Sequence, residues 1–362
     1  MARGRLHSRG TYFRILAIAA ALIAVAGLAV AVTPPQKAEA FATYYWYTEG
    51  HGEHEKVTRA ALRCPAGRPS DGSCFEPQSL TGLAGVRGYF GGVGRPDHWL
   101  GWAGELDDEA AHCDNADFAT PANGGDDYPR TRQQASDTLI KCVSHLRGRF
   151  HSAAQEAGNG ILDDDGDISY SNSSRSSNCQ DNASPGAAGQ AKCRVLDYFG
   201  RALHGVQDFY AHSNWADSED PTKATSLQNP VGLKRTGLFP LLAFRSPMPG
   251  AGDVPEDLST GCYPSSDCAG RIRHDEELNK DRAIIDENGN VTLDENPTNR
   301  GRILDNEQRA VTGAINDTRR QWADQRAEII ARYGEDRGNK IICVITHDYP
   351  VGFWWWETGD CE

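Results

Sequence analysis

The stretch Arg201-Ala-Leu-His204-Gly-Val-Gln-Asp208-Phe-Tyr-Ala-His212-Ser-Asn-Trp215 sets three metal-capable side chains at i, i+4 and i+8. A helix turns about 100° per residue, so each four-residue step drifts only ~40° around the axis. His204, Asp208 and His212 would lie on one stripe, roughly 6 Å apart along it. Imidazole and carboxylate are ligands that zinc favours, and the two oxygens of Asp208 would let it bridge two ions. The competing reading is an amphipathic helix with two surface histidines.

Further donors are scattered through the chain. His54 stands in His51-Gly-Glu-His54-Glu-Lys-Val-Thr, Asp97 in Arg95-Pro-Asp97-His98-Trp99, and His112 in His112-Cys-Asp114-Asn115. His274 opens His274-Asp-Glu-Glu277-Leu-Asn-Lys-Asp281; on a helix it would face Glu277 at i+3 and Asp281 at i+7. Helical domains assemble multi-metal sites in this way, with ligands from several separate segments. His145 and His151 read as surface or half-buried histidines. Asp163–Asp167 resembles a calcium loop but has Ser174 where the twelfth-position Glu belongs, so 161–189 reads as a flexible insertion.

The elements that must position these residues are helical. Periodicity and breakers predict helices from His54 to near Cys64-Pro65, around Leu80–Phe90, over Thr131–Gly158, Ala191–Asn214 and Asn299–Tyr333. Asp217–Asp267, with seven prolines, reads as a loop forming an active-site rim or cover. Ile341–Glu362 reads as a short irregular or strand-like tail whose Phe353–Trp356 cluster plugs a core or touches a membrane surface transiently. The expectation is an all-α, multi-helix bundle with long disulfide-stapled loops, one domain over 41–362, and a monomer.

Residues 1–40 read as a secretory signal: a basic stretch with Arg3, Arg5, Arg9 and Arg14, an apolar run Ile15–Val32, and a cleavage site at Ala38-Glu39-Ala40. An uncleaved anchor is the rival, since 18 apolar residues could just span a bilayer. All 10 cysteines follow the signal, an even count that reads as disulfides in an exported, extracellular protein. Local pairs 64–74, 179–193, 262–268 and 343–361 would each staple a loop, which leaves Cys113 with Cys142. The signal holds Arg3, Arg5, Arg9, Arg14 and Lys37 against Glu39, a net of +4. The mature chain is therefore −13 − 4 = −17, which argues against a sequence-reading nucleic-acid binder.

The motifs His54-x-x-Val-Thr-x-x-Ala-Leu, Asp97, His112-Cys-Asp-Asn, Leu203-His-x3-Asp-Phe-x-x-His-Ser-Asn and His274 with Leu278-Asn-Lys-Asp281 resemble the zinc-dependent phospholipase C and S1/P1 nuclease superfamily. In wording they are most similar to Het-C-like proteins and the secreted actinomycete proteins called CinY. The resemblance covers most of Phe41–Asp281 and implies up to three zinc ions in an all-helical domain. It implies that Asp97, His112, His204 and Asp208 hold one ion. His212, His274 and an acid after it would hold the second; Leu278 occupies the family's acid position, so Asp281 or Glu277 must substitute, with Asp281 favoured. His54, Asp208 and the mature N-terminal Phe41 would hold the third.

The implied chemistry is phosphodiester hydrolysis by zinc-bound hydroxide, with Asp97 orienting or deprotonating the water and Trp99, Phe209 and Trp215 selecting the rest of the substrate; a core position is the equal alternative for Trp215. A phospholipid is preferred as substrate because of the net charge. The alternatives are a single-strand nuclease of the same superfamily and a catalytically silent secreted protein stabilised by zinc. Peptide hydrolysis has no support, because no His-Glu-x-x-His occurs.

Overall fold

A computed structural model describes residues 51–98, 104–173, 179, 190–264, 267–352 and 357–362. The expected signal, Phe41, Trp99 and the Phe353–Trp356 cluster lie outside them, as does most of the insertion after Ser173.

Among the described residues eight α-helices run in the order α1 (Glu53–Leu62), α2 (Pro77–Ala84), α3 (Glu109–His112), α4 (Arg132–Gly158), α5 (Tyr170–Ser173), α6 (Ala191–His212), α7 (Asn306–Tyr333) and α8 (Glu335–Thr346). The strand content among them is one antiparallel hairpin, β1 (Ala283–Ile285) with β2 (Val291–Leu293). The described residues are thus all-α but for a hairpin, which was not foreseen. Asp286 builds its turn, accepting from the backbone N–H groups of Asn288 and Asn290.

Helix α6 is the axis of the fold. It packs against α4 and α7, with α3, α2, α8 and α1 closing around it. Every residue from Phe199 to His212 is buried. A helix enclosed on all sides is normally apolar all round. Here the apolar faces carry Phe199, Leu203, Val206 and Phe209, while one stripe carries His204, Gln207, Asp208 and His212. Burying such groups is costly unless each finds a partner, so the stripe is the first place to look for function.

Local chemistry accounts for the supporting helices. A capping box starts α4: Thr131 Oγ1 accepts from the Gln134 N–H at 3.2 Å, and the Gln134 side chain accepts from the Thr131 N–H at 2.8 Å. Its Leu139, Val143, Leu146 and Phe150 are buried at helical spacing, as expected. Gly334 at φ 82° ends α7 and begins α8.

Three readings are corrected. The residues Ile341–Thr346 finish α8 rather than starting an irregular tail; their β-branched run suggests a strand, but Ile341, Ile342, Val344 and Ile345 all bury. Asn299–Asp305 forms turns, and helix α7 starts at Asn306. The His274 segment is turns as well. It is pinned by a bridge between Cys262 and Arg273, by the His274 N–H donating to the Cys262 carbonyl at 3.0 Å, and by buried Lys280. Lys280 donates to the Ser213 and Leu278 carbonyls and to Asp217 at 3.0, 2.8 and 3.1 Å. Arg300 clamps the same Asp217 carboxylate with two hydrogen bonds at 2.8 and 2.9 Å.

Five disulfides join 64–74, 113–142, 179–193, 262–268 and 343–361. They fit an oxidising, extracellular setting. Among the described residues no helix is long and apolar enough to cross a membrane.

Candidate metal centre

The α6 stripe meets three other segments. Helix α1 contributes His54. The turn after α2 contributes Asp97. Helix α3 ends on His112, and it approaches α6 closely because position 205 is glycine: a Cβ there would stand 2.4 Å from the Ala111 carbonyl oxygen.

Asp208 lies at the centre. Its Oδ2 is 3.0 Å from both His112 Nδ1 and His204 Nε2, and its Oδ1 is 3.2 Å from His54 Nε2. His112 Nδ1 and His204 Nε2 are themselves 3.0 Å apart. Asp97 Oδ1 lies 3.4 Å from His204 Nε2 and 4.0 Å from His112 Nδ1. Two ligands of a tetrahedral zinc, each about 2.0–2.1 Å from it, stand roughly 3.4 Å apart. The separations of His112 and His204 from each other, from Asp208 and from Asp97, 3.0 to 4.0 Å, bracket that figure.

The tautomers point the same way. His204 Nδ1 faces the Val93 carbonyl at 2.9 Å, which can only accept, so that nitrogen carries the proton. His112 Nε2 likewise faces the Glu105 carbonyl at 3.3 Å. Gln207 donates its amide N–H groups to Thr58 and Thr318 at 2.9 and 3.1 Å, which turns its oxygen to His54 Nδ1 at 2.8 Å. Each imidazole thus spends one nitrogen on a fixed acceptor and aims the other at Asp208. This is how metal-ligating histidines are held. Two nitrogen lone pairs 3.0 Å apart repel unless a cation lies between them.

Burial alone would lower the His112 imidazole, but Asp208, with Asp97 and Asp114 nearby, lifts it to about 9. His54 is raised too, against burial, chiefly by Asp208. His204 is lowered, by burial first and by the neighbouring His54. Burial would raise Asp208; His204, His54 and His112 instead hold it well below the carboxylate range.

A second cluster lies at the C-terminal end of the stripe. His212 Nε2 is 2.8 Å from Asp281, and its ring stacks near that of His274 with centroids 3.7 Å apart. His274 Nδ1 is 2.7 Å from Asp114 Oδ1. Donors of Asp114, His212 and His274 lie within 4.8 Å of one another. His212 Nδ1 and His274 Nε2 are buried with no hydrogen-bond partner. Burial would lower His274, but Asp114, with Asp281 and Asp208, raises it to about 9. Asp208 and Asp114 act electrostatically on both raised histidines.

Of the residues singled out from sequence, His54, Asp97, His112, His204, Asp208, His212, His274 and Asp281 converge here. Glu277 does not: its carboxylate is bound by the Arg273 backbone N–H and guanidinium at 2.8 and 2.7 Å. Phe209 and Trp215 are core rather than rim. Phe209 stacks on Phe239 at 4.3 Å, and the Trp215 indole donates to the Gly237 carbonyl at 3.0 Å. His145 sits between Glu105 and Asp108, and His151 beside Glu328; neither supplies a donor to the clusters.

Asp114 and Gln207 escaped the sequence reading. Asp114 stands two residues past His112, inside a motif already singled out, and that spacing was the available signal. Glu53 and Glu307 were also missed. Both are buried with carboxylate oxygens that lack hydrogen bonds. Burial, reinforced by Asp281, pushes Glu307 up to about 7, and burial raises Glu53 well above its usual range. A third grouping, Cys343, His347 and Cys361, offers no thiolate because the two cysteines are joined in a disulfide.

The donor set is imidazole nitrogen and carboxylate oxygen without sulfur, which suits a divalent transition-metal ion. No protein-family model, curated protein or solved structure matches the chain.

Proposed function

We propose that this chain is a secreted zinc-dependent phosphoesterase of the phospholipase C and S1/P1 nuclease kind, acting on a phospholipid or another phosphodiester. The single observation that supports this most is the four-donor arrangement of Asp97, His112, His204 and Asp208, with Asp208 turning its second oxygen to His54. Such a carboxylate can bridge two ions, as two-metal phosphoryl sites require.

His112, His204 and Asp208 would hold one zinc with Asp97, while His54 shares the free face of Asp208. His212, His274 and Asp281 would hold another. Zinc, when bound, would supply Lewis acidity and lower the pKa of a water to about 7. The chain's own residues supply the rest. Gln207, the Val93 carbonyl and the Glu105 carbonyl fix the imidazole tautomers. Asp97 and His112, the least buried of these five donors, would face an approaching substrate. Asp97 would orient a water and accept its proton.

Deep burial of the remaining donors favours one other reading, a protein in which closed zinc sites serve stability alone. Assays of the zinc-loaded protein on phosphatidylcholine and on single-stranded DNA separate these cases. The proposal expects phosphatidylcholine hydrolysis that Asp208→Asn abolishes. Activity on DNA alone would move the chain to the nuclease branch, and zinc bound without either activity would support the structural role.

A further inference from the structure

We propose that Asp114 is the positioning carboxylate of the second cluster: it holds the Nδ1–H of His274 so that Nε2 is the nitrogen offered to a cation. Through Asp114 the three-residue segment His112–Cys113–Asp114 serves both clusters at once. This rests on the zinc reading given above and adds to it a residue outside the ligand set that the motif resemblance implies.

The unpartnered second nitrogen of His274, rather than the short contact by itself, favours positioning over direct ligation. Asp114 Oδ1 is 2.7 Å from His274 Nδ1, the separation of a strong charge-assisted hydrogen bond. That bond fixes the proton on Nδ1. The opposite nitrogen, Nε2, is buried without a hydrogen-bond partner. A buried polar nitrogen left over in this way is costly, and a cation beside His212 would satisfy it. A carboxylate, a histidine and a metal in series is a recurrent arrangement in zinc sites.

The backbone holds Asp114 tightly. Its neighbours Cys113 and Asn115 both adopt left-handed conformations, at φ 58° and 62°, which non-glycine residues enter only at a cost. The Asp114 N–H donates to the Glu109 carbonyl at 3.1 Å, and the Asn115 N–H to the Gly261 carbonyl at 2.8 Å. Gly261 in turn lies against His274: a Cβ there would stand 2.2 Å from the His274 Cα. The Cys113–Cys142 disulfide ties the segment to α4. His112 therefore reaches the first cluster, and Asp114 reaches the second, from one clamped turn.

The test is zinc affinity by chelator competition, with the visible spectrum of the cobalt-substituted protein as a second readout. Loss of an orienting partner costs about 10–100-fold in metal affinity. Asp114→Ala should weaken one zinc by about that factor and leave the other class of site unchanged. Asp114→Asn, which keeps a hydrogen-bond acceptor in place, should fall between Ala and the native residue, and it covers the case in which Asp114→Ala fails to fold. Unchanged affinity in the variants would overturn the assignment. So would complete loss of one zinc in both variants, matching His274→Ala, because Asp114 would then be a ligand itself. Absence of zinc from the native chain would overturn the underlying metal reading, a separate outcome that the native control reports on its own.

Discussion

The two clusters are built from different material. In the first, His54, His112, His204 and Asp208 all project from helices, and only Asp97 comes from a turn. In the second, only His212 is helical; Asp114, His274 and Asp281 come from loops held by disulfides and by the buried Asp217, Arg300 and Lys280 network. Helix geometry places donors through i+4 spacing. Loop geometry needs external fastening, and the chain provides it with a covalent bond on either side. The first cluster should accordingly depend on its ligands and the second also on its supports.

The largest effect should come from the residue at the centre of the first cluster. Losing an orienting partner costs about 10–100-fold in metal affinity, so losing a bridging ligand should cost more than ~100-fold. Asp208→Asn should abolish hydrolysis and strip zinc from the first cluster, while atomic emission still detects the ion at His212 and His274. His274→Ala should produce the reverse pattern. Loss of both ions in either variant would show that the clusters do not bind independently.

Next comes the fastening. Removing a native disulfide typically costs about 2–5 kcal/mol. Cys113→Ser combined with Cys142→Ser should lower thermal stability by that order and weaken zinc at both clusters, since His112 and Asp114 share the released turn. Replacing Cys343 and Cys361 with Ser should leave zinc content unchanged, because that bridge lies in the C-terminal segment. Equal effects from the two replacements would erase the distinction drawn between the bridges.

A smaller effect is expected at Gln207. Gln207→Ala removes the acceptor of His54 Nδ1 and leaves Thr58 and Thr318 without their shared donor. Zinc affinity at the first cluster should fall about 10-fold, the low end for an orienting residue, with the second cluster untouched.

The two clusters should respond alike to pH. His112 and His274 titrate near 6.5 when unfolded and rise to about 9 in the metal-free fold. Their contribution to stability is complete below about 6.5 and is lost as pH climbs to about 9. Urea unfolding of the metal-free protein should therefore show declining stability across that window. The zinc-loaded protein should lack the decline, because cations have displaced those protons. A flat profile for the metal-free protein would mean that the imidazoles carry no extra protons.

The same contrast explains what could be read in advance. The α6 stripe was visible because His204, Asp208 and His212 repeat at helical spacing, and α4 because Leu139, Val143, Leu146 and Phe150 do. His274 and Asp281 were found by type, but their segment was considered as a helix where turns hold it. Nothing local shows that Lys280 is drawn off to Asp217, 63 residues away. Asp114 was overlooked for a similar reason: its partner is 160 residues distant, and no periodicity connects them. The β-branched run at Ile341–Ile345 failed in the opposite sense, since burial in the bundle outweighed strand propensity.

The most direct test of the account is an anomalous difference map at the zinc edge from crystals of the native protein. The account predicts a peak about 2.0–2.2 Å from His112 Nδ1, His204 Nε2 and Asp208 Oδ2, with a second peak beside His212 and His274. A map with no peak among those atoms, from protein purified without chelators in zinc-containing buffer, would contradict it.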